Sequence, residues 1–315
     1  MEVKPNKFPI DAVILWVDGD DAVHQEKIQS YLHLQNVFTT NSRKFNRRFA
    51  QVNEIEYTVN SILKFAPFIR NIFIVTDNQI PDFLKTNKDD YQNVSIIDHT
   101  TIFSGHEEFL PTFNNRSIET CIYRIPNLSE HFIYLNDDFF LINPTQPDDF
   151  FKNGLPILRG KWLKFDENIF YKKFKEHQKG HKYAQQNAAK LLGFKEYYNF
   201  KHTPHPIRKS TLQKYFEENQ DIFIENIKHK FRSSTQILIQ GLAYHLEIKN
   251  KTCVLKLNKQ LFYLRSYKKP LLWYKFKLTI LQRNTLFFAM QNLDAAPPKI
   301  QTYLLNWLKN RVFKK

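Results

Sequence analysis

Short apolar runs that stop at acidic residues recur through the first half of the chain. Phe8 to Val17 reads FPIDAVILWV and halts at the turn-forming Asp18-Gly19-Asp20-Asp21, which predicts a buried strand that hands over to a loop. Asn53 to Phe65 places Ile55, Val59, Ile62 and Leu63 at helical spacing and closes at Pro67. Asn71 to Thr76, Val94 to Ile97 and His131 to Leu135 predict three more strands, with a helix over Asn115 to Arg124 stopped by Pro126. Residues 22 to 50 combine a helical stretch with the basic segment NSRKFNRRF, read as a mobile loop. Strands alternating with helices in this way predict an α/β fold, a parallel sheet flanked by helices.

After Pro156 the pattern changes to a Lys- and aromatic-rich, mainly helical region. Its better helices are Tyr183 to Leu192, Ser210 to Asn219 and Thr235 to Glu247, with short strands at Val254 to Leu257 and Gln260 to Leu264. Residues 268 to 315 are basic and amphipathic. The chain therefore divides into an α/β core over 8–156, a helical subdomain over 157–250 and a basic C-terminal region over 251–315. No internal repeat is visible.

Composition narrows the function classes. Hydrophobic residues at 42% with 29 Phe exclude disorder over most of the length. Seven Gly leave no phosphate loop of the GxGxxG or GxxxxGK[ST] kind. A formal net charge of +15 points to an anionic partner: a nucleic acid, a membrane surface, a phosphorylated polymer or a nucleotide donor. Cys121 and Cys253 lack disulfide or zinc spacing, which fits a reduced compartment. No apolar run approaches the roughly 18 residues of a membrane span, and the first residues do not read as a signal peptide, so a cytoplasmic protein, peripheral to a membrane at most, is expected.

The chemistry concentrates where strands end. YLNDDFFL delivers Asn136, Asp137 and Asp138 to the C-terminal edge of a strand, where open α/β sheets collect ligands. Adjacent carboxylates there can hold a divalent cation, accept a proton or do one of each; capping a turn is the plain alternative. Asp18, Asp77 and Asp98 fall at the same kind of position. Arg232 precedes Ser233-Ser234-Thr235, which reads as the N-cap of a helix and so as an anion site. His205 lies between two prolines in HTPHPI, either a fixed imidazole or a surface histidine, with His202 as the fallback. Glu119 reads equally as an acceptor-side group or as part of a solvated helix face.

Four separated blocks resemble the Stealth family: IDAVILWVDGDD, the run from NEIEYTVNSILKFAPFIRNIFIVTDNQIPDFL through LPTFNNRSIE to IPNLSEHFIYLNDDFFL, HTPHPI, and FRSSTQ. The resemblance implies a Rossmann-like, GT-A-like core and transfer of a hexose-1-phosphate from a UDP-sugar to a sugar hydroxyl, as in bacterial capsule synthesis. It implies catalytic roles for Asp137, Asp138, His205 and Arg232, donor contacts from Asp11, Trp16, Asp18, Gly19, Asp77 and Asn136, and Mg²⁺ on Asp137 and Asp138. The partners it implies are a UDP-sugar and an oligosaccharide or polysaccharide acceptor, with no nucleic acid and a possible site of action at the bacterial inner membrane. Asn60 and Glu56 stand where the family usually carries basic residues, so Arg47, Arg48 or Arg70 are the substitutes to look for. A metal-dependent glycosyltransferase and a non-catalytic anionic-polymer binder are the competing expectations.

Overall fold

The computed structural model describes residues 8–34, 53–170, 180–281 and 285–313. The strands β1 (Ile10–Leu15), β2 (Ile69–Thr76), β3 (Val94–Asp98) and β4 (His131–Asn136) are parallel, in the order β3-β2-β1-β4. Chain reversal then gives β5 (Phe139–Leu141), followed by β6 (Phe151–Lys152), β7 (Leu155–Lys164) and β8 (Glu196–Phe200) in a smaller sheet beside it. β9 (His205–Arg208) returns to the main sheet as an edge strand antiparallel to β4. β10 (Val254–Lys256) joins β7, while β11 (Leu261–Leu264) and β12 (Phe287–Met290) join β5.

The helices are α1 (Ala22–Leu34), α2 (Glu54–Phe65), α3 (Asp82–Thr86), α4 (His99–Ile102), α5 (Asn115–Cys121), α6 (His181–Leu191), α7 (Lys209–Glu218), α8 (Gln220–Ile227), α9 (Ile239–Lys249), α10 (Leu271–Ile280) and α11 (Pro298–Val312). β1 is buried at every position because both faces of the sheet are covered. Ile10, Ala12 and Ile14 pack with Val59 and Ile62 of α2 and with Leu304 and Leu308 of α11. Val13 and Leu15 point the other way, to Ile118 of α5, Phe216 of α7, Phe223 of α8 and Leu242 of α9.

The expected strands and α2 form within two residues of their predicted bounds. The helix expected over Asn115 to Arg124 stops at Cys121 and continues as a 3-10 turn over Ile122–Arg124. The stretch after Pro156 is helical as read, but it also carries β7, β8 and β9, whose aromatic and lysine-rich sequences lack clean alternation. The basic C-terminal region is part of the core. Ile300, Leu304, Leu308 and Val312 repeat every fourth residue among lysines and are buried, and β12 pairs with β5. The basic segment NSRKFNRRF, with Arg47 and Arg48, lies outside the described residues.

Candidate active site at the sheet rim

Parallel order β3-β2-β1-β4 makes the gap between β1 and β4 a topological switch point, where loops leave in opposite directions and open a crevice. A cavity of about 480 Å³ lies there. Its wall includes Trp16 and Val17 after β1, Asn136 at the end of β4 with Asp137 and Asp138 after it, Glu54 at the start of α2, His99 of α4, Arg232, and Gln291, Asn292 and Asp294 after β12.

The two aspartates form the tight turn from β4 into β5. Their backbone is pinned from two sides: Thr58 Oγ1 of α2 donates to the Asp137 carbonyl at 2.5 Å, and the Met290 N–H of β12 donates to the Asp138 carbonyl at 3.2 Å. Burial, followed by repulsion from Asp138, raises the Asp137 carboxyl above the usual range; burial, followed by the charge of Glu54, does the same for Asp138. Among the described residues, Asp138 Oδ1 is buried without a hydrogen-bond partner. An acceptor left in that state loses free energy until a proton, a donor or a cation reaches it.

Asn136 is held by a buried relay. The Tyr134 hydroxyl lies 2.8 Å from Glu119 Oε1 and 2.8 Å from Asn136 Oδ1. One phenol proton cannot serve both oxygens, so with the amide in this orientation Glu119 supplies the second. Burial favours that by raising the Glu119 carboxyl. Glu119 is thus a buried member of α5, not a solvated helix face.

Arg232 reaches the same cavity by a route the sequence did not show. The expected helix from Thr235 does not form there, and α9 begins at Ile239. Residues 232 to 236 instead make a turn stapled by the buried Gln236 side chain. Its Oε1 accepts from Ser233 N–H at 3.0 Å and Asn114 Nδ2 at 2.9 Å, and its Nε2 donates to the Asn226 carbonyl at 2.8 Å. Arg116 Nη1 ties the Ser233 carbonyl at 2.8 Å. The guanidinium therefore projects from a stapled loop, and the helix-terminus part of the anion site falls away.

Other expected residues are accounted for differently. Asp11 opens β1, at the opposite end of the strand from the cavity, and its carboxylate accepts from Arg70 at 2.9 and 2.6 Å and from Ser129 N–H at 2.7 Å. This saturated anchor corrects the donor contact expected of Asp11 and removes Arg70 as a phosphate ligand. Asp98 caps α4 through Thr100 and accepts from Asn78 N–H, a turn role. Asp18 turns its carboxylate onto Asp20 N–H, while Gln79 clasps its backbone at 2.8 and 3.1 Å. Asp77 pairs with Lys27 at 3.1 Å, and contacts with His24 and Lys27 hold its carboxyl well below the usual range. Asp18, Gly19 and Asp77 thus shape the loops beside the cavity without forming its wall.

His205 begins β9 opposite Tyr134, is buried, and is absent from the cavity wall. Its Nδ1 lies 3.0 Å from the Tyr244 hydroxyl, and its ring stacks on Tyr134 at 6.4 Å. Burial drops its pKa to about 3, so the ring is neutral. His202 packs on His181, with ring centroids 4.7 Å apart, and burial lowers it to about 4.

Sequence reading missed Glu54, Asp294 and His99, which complete the polar wall. Glu54 had a signal, since an acidic residue opening an amphipathic helix beside the strand ends faces the same rim. Among the described residues, no group of three His, Cys, Asp or Glu side chains is arranged to hold a metal ion. Asp137 and the unpaired Asp138 oxygen suit a cation only where a ligand supplies further oxygens.

Residues 8–34 match the family model described as Stealth protein CR1, conserved region 1, and residues 48–157 match Stealth protein CR2, conserved region 2. A capsular polysaccharide phosphotransferase of Haemophilus influenzae is 49% identical over 149 residues, 47% of this chain and 39% of that protein. One from Neisseria meningitidis serogroup B is 37% identical over 262 residues, 77% of this chain and 66% of that protein. The chain therefore spans less than two thirds of the length of these relatives. Among solved structures, the galactosyltransferase LgtC in complex with donor and acceptor sugar analogs aligns over 97% of both chains at 11% identity and a TM-score of 0.46.

Proposed function

Because the chain belongs to the Stealth family, whose matched conserved region 2 contains Asp137 and Asp138, we propose that it transfers a hexose-1-phosphate from a UDP-sugar to a sugar hydroxyl, building phosphodiester links in a capsular polysaccharide and releasing UMP. One observation carries the reading: the paired carboxylates and Arg232 line one cavity at the switch point of the sheet. Its volume of about 480 Å³ suits a nucleotide-sugar-sized ligand. The names of the relatives support the substrate class.

In this reading the acceptor oxygen attacks the β-phosphorus, a new O–P bond forms, and the bridging bond to the α-phosphate breaks, so that UMP leaves with that bond's electrons. Asp138 takes the acceptor's proton, which its raised pKa and unpaired oxygen favour. Arg232 neutralises the non-bridging oxygens. Asn136, fixed by Tyr134 and Glu119, orients the donor, and Trp16 forms the floor by the uridine, with Asp18, Gly19 and Asp77 setting the loops around it. His205 acts from behind the cavity wall: its neutral ring stacks on Tyr134 and so helps to hold the phenol that fixes Asn136. Asp137 and Asp138 would hold Mg²⁺ against the diphosphate, where the cation supplies charge neutralisation. Residues 8–156 bind the nucleotide sugar, 157–250 complete the site, and 251–315 brace it. The reading includes a cytoplasmic protein attached peripherally to the bacterial inner membrane; among the described residues no helix is long and apolar enough to cross a membrane.

The test is a panel of UDP-sugars with a capsular oligosaccharide acceptor, scored for the nucleotide released. UMP, lost in Asp138→Ala and Arg232→Ala, is expected. UDP would assign a glycosyltransferase, and polymer binding without turnover would assign a binding protein.

A further inference from the structure

α10 carries two apolar faces where a surface helix needs one. Tyr274 and Leu278 are buried and belong to the core with β12 and α11. On the opposite side Leu272, Phe276 and Ile280, spaced at i, i+4 and i+8, are 75%, 61% and 53% exposed. At about 100° per residue, Phe276 lies almost diametrically across from the midpoint of Tyr274 and Leu278, and Lys275 and Lys277 fall on either side of the exposed stripe. Both lysines are exposed at that border, the Lys275 ammonium 5.7 Å from the Tyr303 ring and the Lys277 ammonium 5.8 Å from Trp273. Lys268 and Lys269 are exposed just before the helix. No Asp or Glu occurs between Glu247 and Asp294.

We infer that this face of α10 docks the protein on an anionic lipid bilayer. An apolar stripe bordered by lysines is the arrangement with which a helix lies in the plane of a membrane surface, its apolar side chains below the headgroups and its ammonium groups among the lipid phosphates. Charge decides against the other occupants. A second copy of the chain would set Lys275 and Lys277 against their own counterparts, with no acid on α10 to relieve them. A soluble anionic polymer would match the lysines but would leave Leu272, Phe276 and Ile280 in water. The bilayer alone satisfies both halves of the pattern. The inference gives the peripheral attachment in the reading above its surface, and it stands on vesicle binding, which requires no turnover.

The experiment uses the full chain with vesicles of phosphatidylcholine and of phosphatidylcholine mixed with phosphatidylglycerol, separated by flotation. The chain should float with the mixed vesicles and far less with the neutral ones. L272S/F276S/I280S should lower partitioning on the order of a hundredfold, and K275Q/K277Q roughly fivefold for each lysine. Both variants alter exposed residues and should keep the wild-type melting temperature and UMP release on a soluble acceptor. Unchanged flotation of the serine variant would overturn the inference. So would a wild-type dimer in solution that F276S disperses, or binding of a soluble anionic oligosaccharide that blocks flotation and persists in the serine variant.

Discussion

Replacing Asp138 by Asn should stabilise the protein while abolishing turnover. The Asp138 carboxyl has one buried oxygen without a partner, sits beside Asp137, and feels the charge of Glu54. A carboxyl whose folded-state pKa is raised holds its proton more tightly folded than unfolded, so its contribution to stability falls as pH rises from the unfolded value through the folded one. Near pH 7 the wild type therefore bears most of this penalty. An amide of the same shape removes the charge. Each unit by which folding raises the carboxyl costs about 1.4 kcal/mol once it is ionised, and for a chain of this length that corresponds to roughly 2 °C in Tm. Thermal melts of wild type and D138N at pH 5 and pH 7.5, alongside UMP release, measure it. The gain should be larger at pH 7.5, where the wild-type carboxyls are more ionised. A variant that melts lower than wild type at pH 7.5 would refute the claim that these carboxylates repel one another.

Turnover itself should fall below neutral pH, with its acid limb well above the ordinary Asp range, because the base must be ionised while burial holds its pKa up; a limb near pH 4 in the pH profile of kcat/KM would contradict this. Arg70→Ala should lower stability by about 3 kcal/mol in urea melts, because Asp11 is fully buried and loses its two-point partner. Its activity at low temperature should stay near wild type, whereas a phosphate ligand would lose turnover first. Arg232→Lys should retain the fold but lose about 10²-fold in kcat, since an ammonium cannot span two phosphate oxygens; near-normal kcat would remove Arg232 from the site. Glu119→Gln should keep most activity, because the amide can still donate to Tyr134, while Glu119→Ala should lose it through a misplaced Asn136.

Much of the rim was legible because strands that stop at Asp announce themselves locally. β1, β2 and β4 are apolar runs bounded by turn residues, and α2 shows its stripe at Ile55, Val59 and Ile62. What an Asp does at a strand end was not legible: Asp98 caps a helix, whereas Asp138 is left unpaired. That difference depends on neighbours distant in sequence, such as Glu54, Thr58 and Met290. HTPHPI read as a proline-fixed imidazole or a surface histidine, yet Pro206 sits in β9, an edge strand that tolerates a missing N–H donor, and His205 is buried. Arg232 lines the cavity, but from a local structure other than the expected one, since serines and a threonine suggest a helix start and only Gln236 with its buried partners makes the stapled turn. The buried positions of α11 were hidden by surrounding lysines.

The most direct measurement follows the β-phosphorus of the donor by ³¹P NMR during turnover with a capsular oligosaccharide. Attack at that atom, with Asp138 and Arg232 around it, predicts that the phosphorus moves into a phosphodiester of the polymer while UMP accumulates. Finding it retained in UDP, with a glycosidic bond in the product, would contradict the account.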